Sequence, residues 1–477
     1  MGLTDIDTAA QGASAEAGMS GETGNIAQTC PKTTLEIGVF FDGTLNNRFN
    51  VLSGGREDGS YQNALSNPAL LYDRYKNDPD FDEPNACGGT ARAFRSVYVQ
   101  GPGSTAGEAD DTMGYAFGQG RQSGVEARVL EGFREVLRRV NLLGGAPYLK
   151  EVVLDVFGFS RGAAGARHFV NSIRAGRATY DPWGIGDYEE TWPEDLPVSI
   201  RFVGIFDTVA AIGKATDDDN DPVNVHLRSD QASNRIYHLT AGDEYRKNFR
   251  LNRNIPGGGD TFELPGAHSD VGGGYADPGD TAPLESARGQ FYYQRAEAEA
   301  ARAAVEQADL QPGAHRDLEA VFVREGWLGP NETEGGVLRV MTPIVERTVT
   351  VQHGFETITR QTFTYDEQLA LHRPWVQLGL SRVALHMMHE AAVAEVDGAF
   401  LELPSTDENY VIPEGLKPYE AAMRSGSISS ADRAAILRNF GHVSMKDGDF
   451  LSADHQGHGP ETNHVRVEYD NDPGQAV

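Results

Sequence analysis

The chain runs to 477 residues, 39% hydrophobic and 23% charged, which is enough material for one large globular domain or a few smaller ones. Its 41 basic residues against 70 acidic ones leave a formal charge of −29, which argues against nucleic acid as a partner and against recruitment to anionic membrane by overall charge. Two cysteines, Cys30 and Cys87, cannot build a disulfide framework, and no stretch approaches the ~18 consecutive apolar residues of a membrane span.

Residues 1–32 are small and polar, with neither a basic n-region nor an apolar h-region; they read as a flexible segment without a Sec signal peptide. TLEIGVFF at 34–41 is a β-rich run stopped by DGTLNN, a buried strand followed by a tight turn. Residues 50–92, broken by Gly, Asn, Asp and Pro, read as a surface excursion, and SVYVQ at 96–100 as a short strand before a Gly-rich loop. From Val125 to Val140 apolar residues recur with the period of an amphipathic helix. EVVLDVFGF at 151–159 is continuously apolar, as a central strand covered on both faces must be, and the alanine-rich 161–175 reads as a helix. VSIRFVGIFDTVAAIG at 198–213, RIYHLTA at 235–241 and DTFELPG at 260–266 supply further strands. Strands alternating with helices predict an α/β core over residues 33–280, with a mostly parallel central sheet flanked by helices.

Beyond residue 280 the pattern changes. Residues 284–308 contain an Ala- and Glu-rich, largely exposed helix, 346–365 read as a β-hairpin turning near Gly354, and 374–396 as a long, mostly buried helix. Residues 281–445 are therefore expected to form a mostly helical accessory region packed on the core, and 446–477 a polar tail.

Gly158-Phe159-Ser160-Arg161-Gly162 fits G-x-S-x-G, with an apolar strand before it and a helix after it. Gly158 and Gly162 allow the sharp turn of a nucleophile elbow, which would hold the Ser160 hydroxyl above the strand end. The amide of Arg161, opening the helix, can donate to an oxyanion. The five-residue pattern also occurs in ordinary glycine-rich turns, so Ser160 needs partners elsewhere. Asp207 ends the strand IRFVGIFD at the same sheet edge; an acid there either orients a histidine or caps the next segment. His268, in ELPGAHSDVGGGY, lies on a glycine-rich loop just after a strand, where it can act as the base or simply bond backbone. His238 competes from inside a strand, and Asp270 competes with Asp207 but stands only two residues from His268. A second oxyanion donor is expected from the amides of Gly43 and Thr44, with Asp42 holding that turn.

A calcium loop is weighed at Asp217, Asp219 and Asp221 in TDDDNDP, but Pro222 stands where the EF-hand pattern needs Gly, so a solvated acidic loop is the better reading. Asp454, His455, His458 and His464 lack metal-ligand spacing. The mechanism requires no metal and no cofactor.

With FFDGTLNN, GFSRGAAGAR, VGIFDTV and GAHSDVGGGY in this order, the chain resembles an α/β-hydrolase family that includes the first class of antibacterial type VI secretion lipase effectors. The resemblance covers about residues 33–275. It implies that Ser160, Asp207 and His268 form the triad, and that the substrate is the acyl esters of membrane phospholipid. It also implies synthesis in the cytoplasm and injection into a competitor's periplasm by a contractile apparatus, without a cleavable signal. A cognate immunity protein and a spike protein are the implied partners, and residues 281–445 become a candidate lid or membrane-docking module. A soluble carboxylesterase or thioesterase, and an inactive hydrolase-fold binding protein, are the alternatives.

Overall fold

The computed structural model describes residues 32–78, 92–111, 123–181, 188–212, 223–228, 232–246, 249–309, 315–332, 337–341, 344–353, 356–443 and 466–477. Its centre is a six-stranded sheet of β1 (Thr33–Phe41), β2 (Arg92–Val99), β3 (Leu149–Phe159), β6 (Val198–Phe206), β7 (Ala232–Ala241) and β9 (Asp260–Leu264). The strands lie in the order β2-β1-β3-β6-β7-β9, and every pairing along that path is parallel. The short strands β4 (Arg177–Tyr180) and β5 (Tyr188–Thr191) form a separate hairpin between β3 and β6.

Both faces of this sheet are covered, which explains its continuously apolar strands. On one face α4 (Val125–Leu142) and α5 (Arg161–Arg174) pack Val129, Phe133, Phe169 and Val170 against Val39, Leu154 and Val156. Between β1 and β2 lie α1 (Arg48–Ser53), α2 (Gly59–Gln62) and α3 (Asn67–Arg74). The opposite face carries Phe40, Phe157, Phe202 and Phe206 against Leu70 and Leu71 of α3 and Val383, Leu385 and Met388 of α9 (Ser381–Glu395). The Phe40 and Phe157 rings stack with centroids 4.8 Å apart. Phe157→Ala is expected to cost about 3–5 kcal/mol, the transfer term plus a cavity that neighbouring strands cannot collapse; urea denaturation measures it.

Helix α9 falls within the region read from sequence as accessory, yet it packs its buried face into the core layer on the central sheet. It begins at Ser381 rather than at residue 374. The helix expected within residues 284–308 is present as α7, Arg295–Asp309, and is mostly exposed, while residues 284–292 belong to β10 (Asp280–Tyr292). The hairpin strands are present as β12 (Ile344–His353) and β13 (Glu356–Arg373), paired from Ile344↔Tyr365 to His353↔Glu356, while the expected turn residue Gly354 lies outside the described residues. Together with β10 and β11 (Leu338–Met341) it makes a four-stranded antiparallel sheet, so the region is not only helical. Helices α8 (Arg316–Glu325), α10 (Lys417–Ser425) and α11 (Ser430–Phe440) complete this part of the chain. No described helix is long and apolar enough to cross a membrane.

The segment 466–477, read as the end of a polar tail, docks on the core. Its β14 (Glu468–Tyr469) pairs in parallel with β8 (Leu251–Asn252). Asp217, Asp219, Asp221, Asp454, His455, His458 and His464 lie outside the described residues.

Candidate active site

Strand order reverses between β1 and β3, because β2 lies on one side of β1 and every later strand of the sheet on the other. Loops leaving the carboxyl ends of two such strands diverge and open a crevice. The Asp42–Gly43–Thr44 turn leaves β1 there and Ser160 leaves β3.

Ser160 occupies φ 60° and ψ −130°, a conformation that L-residues with side chains rarely adopt. Its amide donates to the Phe206 carbonyl (3.1 Å), and its carbonyl accepts from Ala163 (2.9 Å), Ala164 (3.2 Å) and Val209 (3.3 Å). The two glycines of the motif answer to contact rather than flexibility. A Cβ on Gly158 would stand 2.6 Å from the Gly162 carbonyl oxygen, and one on Gly162 would stand 2.1 Å from that of Asp42. The elbow thus presses directly on the β1 turn, and only glycine allows that approach.

Asp207 follows β6, the neighbour of β3, also at positive φ (40°). It is wholly buried, and its Oδ2 bonds His268 Nδ1 at 2.5 Å. His268 opens α6 (His268–Gly272) just after β9 and is buried between the rings of Phe159 (centroids 4.6 Å) and Phe249 (4.9 Å). Its other ring nitrogen, Nε2, has no hydrogen-bond partner among the described residues, so the Ser160–His268 bond expected of a triad is not closed here. Such bonds are often long in free enzymes and tighten on substrate binding.

Burial lowers the His268 pKa below 6.5, and the Asp207 charge and hydrogen bond only partly oppose that. For Asp207, burial alone would raise the pKa, but the Arg466 charge and the His268 contact outweigh it and hold the carboxyl well below the usual carboxylate range. If His268 is the base, it stays neutral and competent at mildly acidic pH. The acid limb of kcat/KM is therefore expected below pH 6.5, read from a pH–rate profile on a soluble ester.

The expected oxyanion donors separate. The Gly43 N–H donates to Asp42 Oδ1 at 2.8 Å. Asp42 is buried and also accepts from Ser66 Oγ and Tyr98 OH, each at 2.5 Å. Burial pushes its pKa up to about 6 against those three hydrogen bonds. Thr44 stands beside the elbow, its Oγ1 accepting from Arg161 Nε at 2.9 Å. Arg161 is the first residue of α5, at the positive end of the helix dipole.

His238 behaves as a packed strand residue: buried in β7, it bonds Thr208 and Asn254, and burial lowers its pKa to about 3. Asp270 is not paired with His268. It bonds His442 Nδ1 (2.8 Å) and the amides of Ala267 (2.9 Å) and His442 (2.8 Å), tying α6 to the chain beyond α11. Two charged residues near the pair were not picked out from the sequence. Glu244 Oε2 accepts from the His268 amide (3.3 Å), and Arg466 bonds both oxygens of Asp207. The only sequence hint of the second is the alternation VRVEY at 465–469, a short strand pattern inside a polar stretch.

Residues 186–288 match the family model described as "T6SS, Phospholipase effector Tle1-like, catalytic domain". The solved structure of the Tle1 effector bound to the VgrG spike of the type 6 secretion system superposes with a TM-score of 0.52 at 23% identity, covering 92% of this chain and 94% of that one. In fold, the chain resembles Tle1. Its Tle1-like architecture is α/β-hydrolase-like, with the mostly parallel central sheet between helical layers. An uncharacterized protein from Pseudomonas aeruginosa aligns with a TM-score of 0.31 at 23% identity over 52% of this chain and 42% of that one. No curated protein matches. The Tle1-like match begins after Ser160, includes Asp207 and His268, and ends within β10, a strand of the second sheet. No described cluster of three or more His, Cys, Asp or Glu could hold a metal ion.

Proposed function

We propose that this chain is a serine esterase of phospholipid acyl esters, of phospholipase A type, acting as an antibacterial effector of type VI secretion. The observation that carries the reading is the buried Asp207–His268 pair, 2.5 Å apart, at the sheet edge where Ser160 sits on a strained strand-to-helix elbow. The Tle1-like match supports the substrate class.

In this mechanism Ser160 Oγ attacks the ester carbonyl carbon and its proton passes to His268 Nε2. Asp207 fixes the imidazole with its Nδ1–H toward the carboxylate and stabilises the imidazolium that forms. The oxyanion is held by the amides of Arg161 and Thr44. The imidazolium then protonates the departing alcohol; water enters and attacks the acyl carbon as His268 Nε2 takes its proton, and the bond to Ser160 Oγ breaks, releasing the fatty acid while the imidazolium returns that proton to Oγ. A spike protein as loading partner, an immunity protein in the producer and delivery into the target periplasm belong to the same proposal. The structure of Tle1 with VgrG supports the first of these.

Product analysis of phospholipid vesicles treated with the purified chain beside Ser160→Ala tests the reading. Free fatty acid and lysophospholipid that appear only with the wild type are expected. Inert vesicles together with rapid turnover of short p-nitrophenyl esters would sink the membrane substrate and leave a soluble esterase.

A further inference from the structure

Asp207 is gripped from both sides. Its Oδ1 accepts from the Ala241 amide (2.9 Å) and Arg466 Nη1 (2.7 Å), and its Oδ2 accepts from Arg466 Nη2 (2.8 Å) besides its bond to His268. The guanidinium also donates to the carbonyls of Phe249 (2.7 Å, from Nε) and Ala241 (3.2 Å, from Nη1). Its side chain is only 9% exposed, and the groups it bonds belong to the wall of the site.

The segment that delivers it is anchored without it. The Leu251 amide donates to Val467 O (3.0 Å) and that of Arg253 to Tyr469 O (2.9 Å). The buried Asn471 amide bonds the carbonyls of Leu227 and Pro256, both at 2.7 Å, and its oxygen accepts from the Leu227 amide at 2.8 Å. The Arg466 fork is therefore surplus to holding the segment, and what it does is fix Asp207.

We propose that Arg466 is a positioning residue of the hydrolytic site, whose bidentate fork sets the plane of the Asp207 carboxylate and whose charge limits how strongly that carboxylate favours the imidazolium of His268. The proposal rests on the triad reading above. A carboxylate held by one amide can rotate about Cβ–Cγ; a planar fork on both oxygens removes that freedom and keeps Oδ2 on Nδ1. The proton from Ser160 stops on His268, while Asp207 stays ionised and Arg466 stays protonated. The charged groups around His268 are Asp207 after β6, Glu244 and Arg246 after β7, and Arg466. Asp270 of its own helix is engaged by His442. Among the described residues, only Arg466 bonds both oxygens of the acid.

The test compares full-length wild type with Arg466→Met and Arg466→Lys. It reads kcat and KM on a short p-nitrophenyl ester across pH, and the His268 imidazole titration by NMR without substrate, assigned against His268→Gln. Arg466→Met is expected to lower kcat about 10- to 100-fold with KM within about twofold, and to raise both the acid limb and the His268 titration by about one pH unit. Arg466→Lys should return the titration to its wild-type position but recover only part of kcat, because one ammonium does not match the fork. If Arg466→Met does not fold, Arg466→Lys decides: reduced kcat with an unmoved limb supports the proposal, and wild-type kcat overturns it. An unchanged His268 titration in both folded variants overturns it too. A wild type that hydrolyses no ester defeats the esterase reading, while the NMR titration still decides the role of Arg466.

Discussion

Ser160→Ala is expected to lower ester hydrolysis by roughly 10⁴- to 10⁶-fold while leaving the fold intact. The size follows from covalent catalysis: without the hydroxyl there is no acyl-enzyme, and only the weak effect of an oxyanion site on direct attack by water remains. The fold should survive because the hydrogen bonds of Ser160 to Phe206, Ala163, Ala164 and Val209 are made by its backbone. The strain at φ 60° is kept by alanine, so stability should change by less than about 1 kcal/mol, read from the shift in Tm. Hydrolysis within tenfold of wild type by the purified variant would place the nucleophile elsewhere.

Asp207→Asn should be nearly as damaging and for two separable reasons. An amide at this position no longer holds Nδ1–H toward a carboxylate, so His268 takes the wrong tautomer or loses its support, a loss on the order of 10⁴-fold in kcat. It also strips Arg466 of its counter-ion inside the protein, which costs roughly 3–5 kcal/mol. The sign with pH is defined. The Asp207 pKa is depressed on folding, so its contribution is present above the unfolded value of about 3.8 and is lost as the pH falls further. Denaturation of wild type and variant should therefore differ by a constant amount around neutrality and begin to converge only as the pH falls below about 4 toward the depressed native-state value. Equal stability at pH 7 would mean that Arg466 finds other partners.

Much of the site is legible in the sequence because it sits where local pattern and chemistry coincide. An apolar strand, a glycine, a serine, a second glycine and a helix can be recognised without any partner, and so can an acid that terminates a buried strand. The excess of aspartates and histidines in the loops is harder to sort. Asp270 and Asp207 look alike in composition, and only the packing of α6 sends one to His442 and the other to His268. Gly43 illustrates a different limit: a turn amide reads as a donor, but whether its proton is already taken depends on how Asp42 folds back, here at 2.8 Å.

The sequence by itself determined the parallel α/β core and the places of Ser160, Asp207 and His268 at strand ends, because hydrophobic period and turn residues are local signals. Tertiary structure alone decided three further things. Strand β10 took residues 280–292, where pairing with β13 from Asp280↔Arg373 to Tyr292↔Phe363 sets the backbone, and left only the Ala- and Glu-rich stretch from Arg295 onward helical. Helix α9 closed the core from far along the chain, where an apolar face shows that it is buried but not against what. And Arg466 reached Asp207 over 259 residues of sequence. A buried carboxylate needs a counter-charge, but nothing in a linear pattern says which arginine the fold will bring to it.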